Sequence, residues 1–188
     1  QWKPSLPADF AIPTDRPMKP KERLKIPRQT MPEQPADERI KNFNEVAMGL
    51  TPEQARVEAS RCLMCKKPVC IEGCPVNIDI PNFLKKIADG ELDAAAALMK
   101  EANCLPAISG RVCPQEKQCE QVCVLAKKGD PVAIGRLERF IADWERAQTG
   151  RVSQPVQAPP TGRRVAVVGS GPASLTVAGE LARRGHGV

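Results

Sequence analysis

Residues 61–76 read RCLMCKKPVCIEGCPV, which is Cys62-x2-Cys65-x4-Cys70-x3-Cys74 with Pro75 directly behind the last thiol. A two-residue gap lets one tight turn deliver two sulfurs to the same side of a metal cluster. A longer cysteine run closed by Cys-Pro is the spacing on which cubane iron-sulfur clusters are held. A second group follows as Cys104, Cys113-Pro114, Cys119 and Cys123, so all 8 cysteines of the 188-residue chain fall between Cys62 and Cys123. Soft thiolates at such spacing suit iron-sulfur clusters. Zinc is the weaker alternative, because the second group lacks a Cys-x2-Cys knuckle and the single histidine, His186, stands far away. Disulfides fit least. The start of the chain lacks the basic and apolar stretches of a secretion signal, so the chain reads as cytoplasmic, where close-spaced thiols stay reduced and bind metal.

The run and its terminal proline point to two 4Fe-4S clusters rather than 2Fe-2S. In two-cluster ferredoxins the cysteine before the proline serves the other cluster, so by analogy Cys62, Cys65 and Cys70 share one cluster with a late cysteine while Cys74 crosses to the second group. Such a crossing ties the two halves together through metal. It would also make up for a core poor in large rings, since aromatic residues are 3% of the chain against 41% hydrophobic residues overall. Eight thiols would fill two clusters, yet Cys104 sits apart in Asn103-Cys104-Leu105-Pro106, and a buried free cysteine is common. Glu138 is the other candidate donor. It lies at i, i+4, i+7 with Ile134 and Ile141 on an apolar helical stripe, where an ionised carboxylate needs a partner. The pattern alone leaves that partner open between an iron and one of Arg111, Arg136 and Arg139, with the ion pair the commoner arrangement. Arg61, Lys66, Lys67 and Arg111 neighbour the candidate ligands and are placed to offset cluster charge, although Lys66 and Lys67 read more readily as solvated surface cations.

Working outward, residues 1–35 form a Pro-rich extended arm, with eight prolines from Pro4 to Pro35 interleaved with Lys and Arg. The arm reads equally as a disordered tail or as a strap around its own domain or a partner. A helical iron-sulfur domain is expected over 36–145. Thr51-Pro52-Glu53-Gln54 is a capping box that starts a helix running to Arg61 and delivering Cys62. Further helices are expected from Pro81 to Gly90, from Leu92 to about Ala102, from Gln115 to Cys123, and from Asp130-Pro131 onward through Ile134, Leu137, Ile141 and Trp144. Residues 146–162 form a polar, Pro-containing linker. From 163 to 188 the character changes to a buried-strand run, Val165-Ala166-Val167-Val168, then Gly169-Ser170-Gly171-Pro172-Ala173-Ser174 and a helix from Leu175 to Arg184. Strand, glycine turn and helix in that order let a pyrophosphate sit on the helix N-terminus, so residues 169–174 are candidate cofactor-binding positions. Ser174 departs from the usual third glycine. The acidic ribose partner expected about 20 positions on would lie beyond Val188, so the chain reads as the front of a longer protein. A net charge of +6 with few stacking aromatics disfavours nucleic acid as a partner, and no apolar run of about 18 residues suggests a membrane span.

Taken together, Cys62-Leu-Met-Cys65, Cys70-Ile-Glu-Gly-Cys74-Pro75, Leu105-Pro106-Ala107-Ile108-Ser109-Gly110-Arg111-Val112-Cys113-Pro114-Gln115, Cys119-Glu120-Gln121-Val122-Cys123, Ile134-Gly135-Arg136-Leu137-Glu138-Arg139-Phe140 and Val167-Val168-Gly169-Ser170-Gly171-Pro172-Ala173 resemble the N-terminal part of the glutamate synthase small-subunit family. That family is similar in turn to the large subunit of electron-bifurcating ferredoxin:NADP oxidoreductase and to the N-terminal region of dihydropyrimidine dehydrogenase. The resemblance covers roughly residues 36–188. It implies an α-helical two-cluster iron-sulfur domain followed by the start (βα) of a Rossmann-like α/β FAD-binding domain. It also implies an oxidoreductase subunit in which NADPH or NADH gives hydride to FAD and single electrons pass through the clusters to a larger redox subunit. By the same resemblance Cys62, Cys65, Cys70 and Cys123 hold one 4Fe-4S cluster. Cys74, Cys113 and Cys119 hold the other with Glu138, which leaves Cys104 spare; relatives often carry Cys at the position of Ser109. The alternatives to a glutamate synthase type are the bifurcating enzyme, a non-catalytic electron-transfer subunit, or a zinc-organised module whose basic arm binds an acidic partner.

Overall fold

The computed structural model describes residues 18–148 and 157–188. The first part of the expected arm, with Pro4, Pro7, Pro13 and Pro17, and residues 149–156 of the expected linker lie outside the described residues. Among the described residues the secondary structure is helical. In chain order come α1 (Pro20–Arg23), α2 (Ala36–Arg39), α3 (Pro52–Ser60), α4 (Val69–Glu72), α5 (Ile80–Asp89), α6 (Leu92–Ala102), α7 (Pro106–Val112), α8 (Ile134–Ala147) and α9 (Pro172–Arg183). Two 3-10 turns, Gln115–Lys117 and Val124–Lys127, lie between α7 and α8.

The long helices follow from their caps and apolar spacing. At α3 the Thr51 side chain accepts from the Gln54 amide at 3.2 Å and the Gln54 side chain returns the bond to the Thr51 amide at 3.0 Å, with Pro52 at the first helical position. Asp79 caps α5, which ends on Gly90 at φ +81, a left-handed position that glycine occupies without penalty. The alanine-rich α6 has little side-chain entropy to lose. Phe83, Ile80, Leu84 and Ile87 of α5 meet Met99 of α6 and Leu137 and Ile141 of α8 in one buried apolar core, which Cys74 and Cys119 join. Burying each of these Phe, Leu, Ile and Met side chains is worth about 1.5–3 kcal/mol.

Three sequence expectations are corrected, and one helix is added to them. α8 begins at Ile134 rather than at Asp130-Pro131. The Asp130 and Pro131 carbonyls accept from Arg61, at 2.7 and 2.9 Å, instead of opening a helix. The first free amides are capped from outside, Ala133 by Glu58 Oε1 at 2.8 Å and Gly135 by Glu120 Oε1 at 3.2 Å. The expected helix Gln115–Cys123 is only the 3-10 turn Gln115–Lys117 followed by turns. A continuous helix would put Cys119 and Cys123 on one face, whereas the structure sends them to separate cavities. α7 forms within the motif Leu105–Gln115, where no helix is expected from the sequence, and it contains Gly110. The glycine is what lets α7 lie on α8, since a Cβ there would come within 2.6 Å of the Arg139 backbone nitrogen. Finally, Val165–Val168 forms no strand. A parallel strand exists only through its neighbours, and the pairing here is a single bridge between Arg164 and Gly187, with Val165 N donating to Gly187 O at 2.7 Å.

The described part of the arm is bound to its own chain. Ile26 and Gln29 are buried, the Gln29 amide donates to Glu58 Oε2 at 2.7 Å, and Arg28 pairs with Glu120 at 2.7 Å. Arg23 donates to the carbonyls of Ser60 and Cys62, at 3.1 and 2.7 Å. At the other end, α9 lies beside the end of α6, where Arg183 donates to the Glu101 carbonyl at 3.3 Å.

Glu58 is fully buried at 0% exposure, and its partner Arg61 is 2.7 Å away. Removing one member of such a pair strands the other charge in the interior at a cost of about 3–5 kcal/mol. Glu58→Ala is therefore expected to lower unfolding stability by about that amount in anaerobic denaturant titration, and a loss under about 1 kcal/mol would show that the arm and α8 are held by other contacts.

Candidate metal centres

α3 ends at Ser60, and its C-cap residue Arg61 is anchored by four hydrogen bonds, so the chain leaves the helix at a fixed point and presents Cys62. The two-residue gap to Cys65 is closed by Met64 at φ +52. That left-handed conformation costs a residue with a Cβ roughly 1–2 kcal/mol and persists only where the surroundings demand it. α4 follows and carries Cys70 on one side, while Gly73 ends it and Cys74 comes next.

These turns bring the candidate ligands together in two sets. Cys62, Cys65, Cys70 and Cys123 line one cavity, whose remaining wall is apolar and includes Leu63, Val69, Leu125 and Val132. Cys74, Cys113, Cys119 and Glu138 line a second, together with Asn103, Ser109, Gln115 and Gln118. Cys104 lines neither of these two and is in contact with Thr176 of α9, at 3.5 Å between Sγ and Oγ1. Among the described residues no three Cys, His, Asp or Glu side chains stand close enough to hold a single metal ion. Each set surrounds a space, and a cubane, itself several atoms across, separates its ligands more widely than one ion does.

Electrostatics divides the residues the same way. Burial pushes the Cys62 thiol up to about 11, and the nearby Cys123 and Cys65 add to the rise. Burial likewise pushes Cys70 up to about 12, with Cys62 and Cys123 as the next contributors. In the second set burial takes Cys119 to about 12, followed by the charges of Glu120, Cys74 and Glu138. Cys113 is raised by burial and then by Glu138 and Cys74. Glu138 is itself raised by burial, opposed by hydrogen bonds from Ser109 and Asn103. Gathering four anionic donors in a poorly solvated cavity is unfavourable unless cations compensate them. Bound iron holds a thiolate deprotonated, so these donor sets fit iron-sulfur clusters.

Two short segments run from one cavity to the other. Cys70 faces one and Cys74 the other across three residues, and Cys119 and Cys123 do the same in the opposite sense. These two crossings touch at Gly73, where a Cβ would come within 2.7 Å of Val122 Cγ2 and 3.2 Å of the Cys119 Cα.

The cations expected to offset cluster charge are mostly engaged elsewhere. Arg61 binds Glu58 and the carbonyls of Ile26, Asp130 and Pro131. Arg111 pairs with Glu45 and Asp143, at 2.6 and 2.7 Å. Lys66 and Lys67 are exposed. Glu138 takes none of the arginines considered for it: Arg136 donates to the Gln29 carbonyl and Arg139 binds Asp143 and Ala47. Its partners are Asn103 and Ser109, neither of which sequence reasoning placed beside it. The available signal was Ser109, a polar residue within the motif Leu105–Gln115 that carries the resemblance.

In the C-terminal segment, Gly169 has φ +108 and Gly171 is the N-cap of α9. Residues 169–173 are exposed and Ser174 is half-buried, with its hydroxyl 3.5 Å from the Val168 carbonyl. A Cβ on Gly171 would meet nothing within 4 Å, so the backbone here is open to a ligand.

Residues 39–150 match the family described as dihydropyrimidine dehydrogenase domain II, 4Fe-4S cluster. Among curated proteins the chain is similar to the NADPH glutamate synthase small chain of Escherichia coli (strain K12), 38% identical over 168 residues, covering 86% of this chain and 34% of that one. The corresponding small chain of Azospirillum brasilense is 37% identical over 164 residues, covering 85% and 33%. The NAD-dependent dihydropyrimidine dehydrogenase subunit PreT of Salmonella typhimurium is 37% identical over 146 residues, covering 78% and 35%. The chain thus spans about a third of the length of these relatives. No helix among the described residues is long and apolar enough to cross a membrane.

Two substitutions separate the crossings from the bystander thiol. Gly73→Ala forces the two crossings apart, at about 1–3 kcal/mol for overpacking, and is expected to lower iron and acid-labile sulfide in both centres at once. Cys104→Ser is expected to leave both contents at the parent level; a loss of iron there would make Cys104 a ligand.

Proposed function

Because the chain belongs to the family of dihydropyrimidine dehydrogenase domain II, a 4Fe-4S module, we propose that it is the electron-relaying front part of an NAD(P)H-dependent flavin and iron-sulfur oxidoreductase. In this reading Cys62, Cys65, Cys70 and Cys123 bind one 4Fe-4S cluster, and Cys74, Cys113, Cys119 and Glu138 bind a second. The observation that carries it is the division of eight side chains into two four-donor sets around two adjacent cavities. Clusters bound there would carry onward, to an acceptor beyond this chain, the single electrons that FAD in the complete protein would split from a hydride pair.

What the chain's own residues contribute is placement and insulation. The apolar wall of the first cavity shields its thiolates, and the crossings Cys70–Cys74 and Cys119–Cys123 hold the two sites a few residues apart. The exposed turn of residues 169–174 at the head of α9 is placed to accept the pyrophosphate of FAD, as the opening of a Rossmann-like unit that the rest of a longer chain would complete. Similarity to glutamate synthase small chains supports NADPH as donor and a larger redox subunit as partner, and the PreT-like relatives support NADH with a dihydropyrimidine dehydrogenase partner. We favour the glutamate synthase type, acting in the cytoplasm.

Anaerobically purified protein is expected to contain about eight iron and about eight acid-labile sulfide per chain. Zinc without sulfide would remove electron transfer from consideration. Glu138→Ala is expected to change one cluster's electron paramagnetic signal and leave the other as it was, and two unchanged signals would refute Glu138 as a ligand.

A further inference from the structure

The second cavity differs from the first in carrying several polar side chains, and two of these, Asn103 and Ser109, converge on one atom of a third, Glu138. Asn103 Nδ2 donates to Glu138 Oε1 at 2.9 Å, and the Ser109 hydroxyl donates to the same oxygen. Asn103 also donates to Ser109 Oγ at 2.7 Å. The amide cannot turn round, because its Oδ1 accepts from the Leu105 amide at 3.0 Å, which leaves Nδ2 as the end facing the carboxylate. Both hydrogen bonds to Glu138 thus fall on Oε1, and among the described residues none falls on Oε2. Glu138 is 6% exposed and Asn103 9%, so these bonds work in a shielded setting where each is stronger than at the surface.

We propose that Asn103 and Ser109 are positioning residues for the Glu138 carboxylate, engaging Oε1 so that Oε2 alone is presented to iron, and that their hydrogen bonds hold this cluster's reduction potential above the value an unassisted carboxylate would give. This rests on the reading of Glu138 as a ligand. The sign follows from charge. A carboxylate is a harder, more basic donor than a thiolate, and two N–H and O–H dipoles aimed at it stabilise negative charge on the ligand. The reduced cluster carries one more negative charge than the oxidised one, so the donors favour reduction and raise the potential. The Ser109 oxygen has a second acceptor in reach, the Leu105 carbonyl at 2.9 Å. Its single proton goes to the charged carboxylate rather than to the neutral carbonyl, because charge-assisted bonds are roughly twice as strong as neutral ones.

The test is redox titration of the anaerobic holoprotein followed by electron paramagnetic resonance, with iron and sulfide measured on each variant. Ser109→Ala is expected to keep full iron and sulfide, lower the midpoint potential of one cluster, alter that cluster's signal and leave the other untouched, while Ser109→Thr, which keeps the hydroxyl, returns the potential to near the parent value. If Ser109→Ala fails to load iron, Asn103→Ala replaces it and must show the same downward shift. A loaded Ser109→Ala or Asn103→Ala protein with parent potentials and signals would overturn the proposal, provided Glu138→Ala still perturbs one cluster. Unchanged signals in Glu138→Ala would instead bring down the ligand reading on which it stands.

Discussion

A single buried carboxylate ties the chain together. Glu58 accepts from the Gln29 amide, the Ala133 amide and Arg61, and Arg61 in turn binds the carbonyls of Ile26, Asp130 and Pro131. The arm, α3, the approach to α8 and the residue before Cys62 therefore meet at one ion pair. Buried pairs of this kind are weak evidence for net stability when compared with apolar replacements. Their value here is directional, because a carboxylate and a guanidinium fix three backbone segments at set angles, which an apolar contact would not. Glu120 repeats the device one step along, receiving Arg28 from the arm and the Gly135 amide from α8.

With α8 held at its N-terminus, its other faces are free to serve two purposes. Leu137 and Ile141 fill the core, and Glu138 looks into the second cavity from the same helix. The scarcity of aromatic residues is met by close backbone packing rather than by large rings. Gly110 admits α8 to α7, and a Cβ on Gly135 would come within 2.2 Å of Gln115. Metal binding adds to the folding free energy wherever the site does not exist in the unfolded chain, which fits a small helical unit whose cysteines partly line its core.

Much of this was legible in the sequence, and the exceptions have physical reasons. Local chemistry read true. The capping box at Thr51, the glycine stop at Gly90 and the alanine run of α6 are decided within a few residues, and the structure has helices there. What failed was anything decided by a distant partner. The start of α8 depends on Glu58 and Glu120, far away in sequence. The turns after Pro114 depend on two cysteines having to face different cavities. Val165–Val168 lacks a strand because pairing beside it, among the described residues, is limited to the bridge Arg164–Gly187. For the candidate sites, sequence spacing and resemblance sorted the cysteines into the same sets that line the two cavities and put Glu138 with the second set, while the hydrogen bonds it receives from Asn103 and Ser109 were not foreseen. Arginine at neighbouring positions looked the natural choice on charge alone, whereas helix geometry turns Arg136 and Arg139 away toward the arm and Asp143 and gives the carboxylate an amide and a hydroxyl.

The paired crossings also constrain how this chain can vary in length. Cys70 to Cys74 and Cys119 to Cys123 each run from one cavity to the other over three residues and press together at Gly73, so an inserted or deleted residue in either would misalign both ligand sets at once. The stretch from Ala126 to Asp130 is different: it is exposed throughout, and a side chain added at Gly129 would meet nothing within 4 Å. Insertions and deletions accumulated over evolution should collect there, while the spacing of the crossings stays fixed even where the residues between the cysteines change.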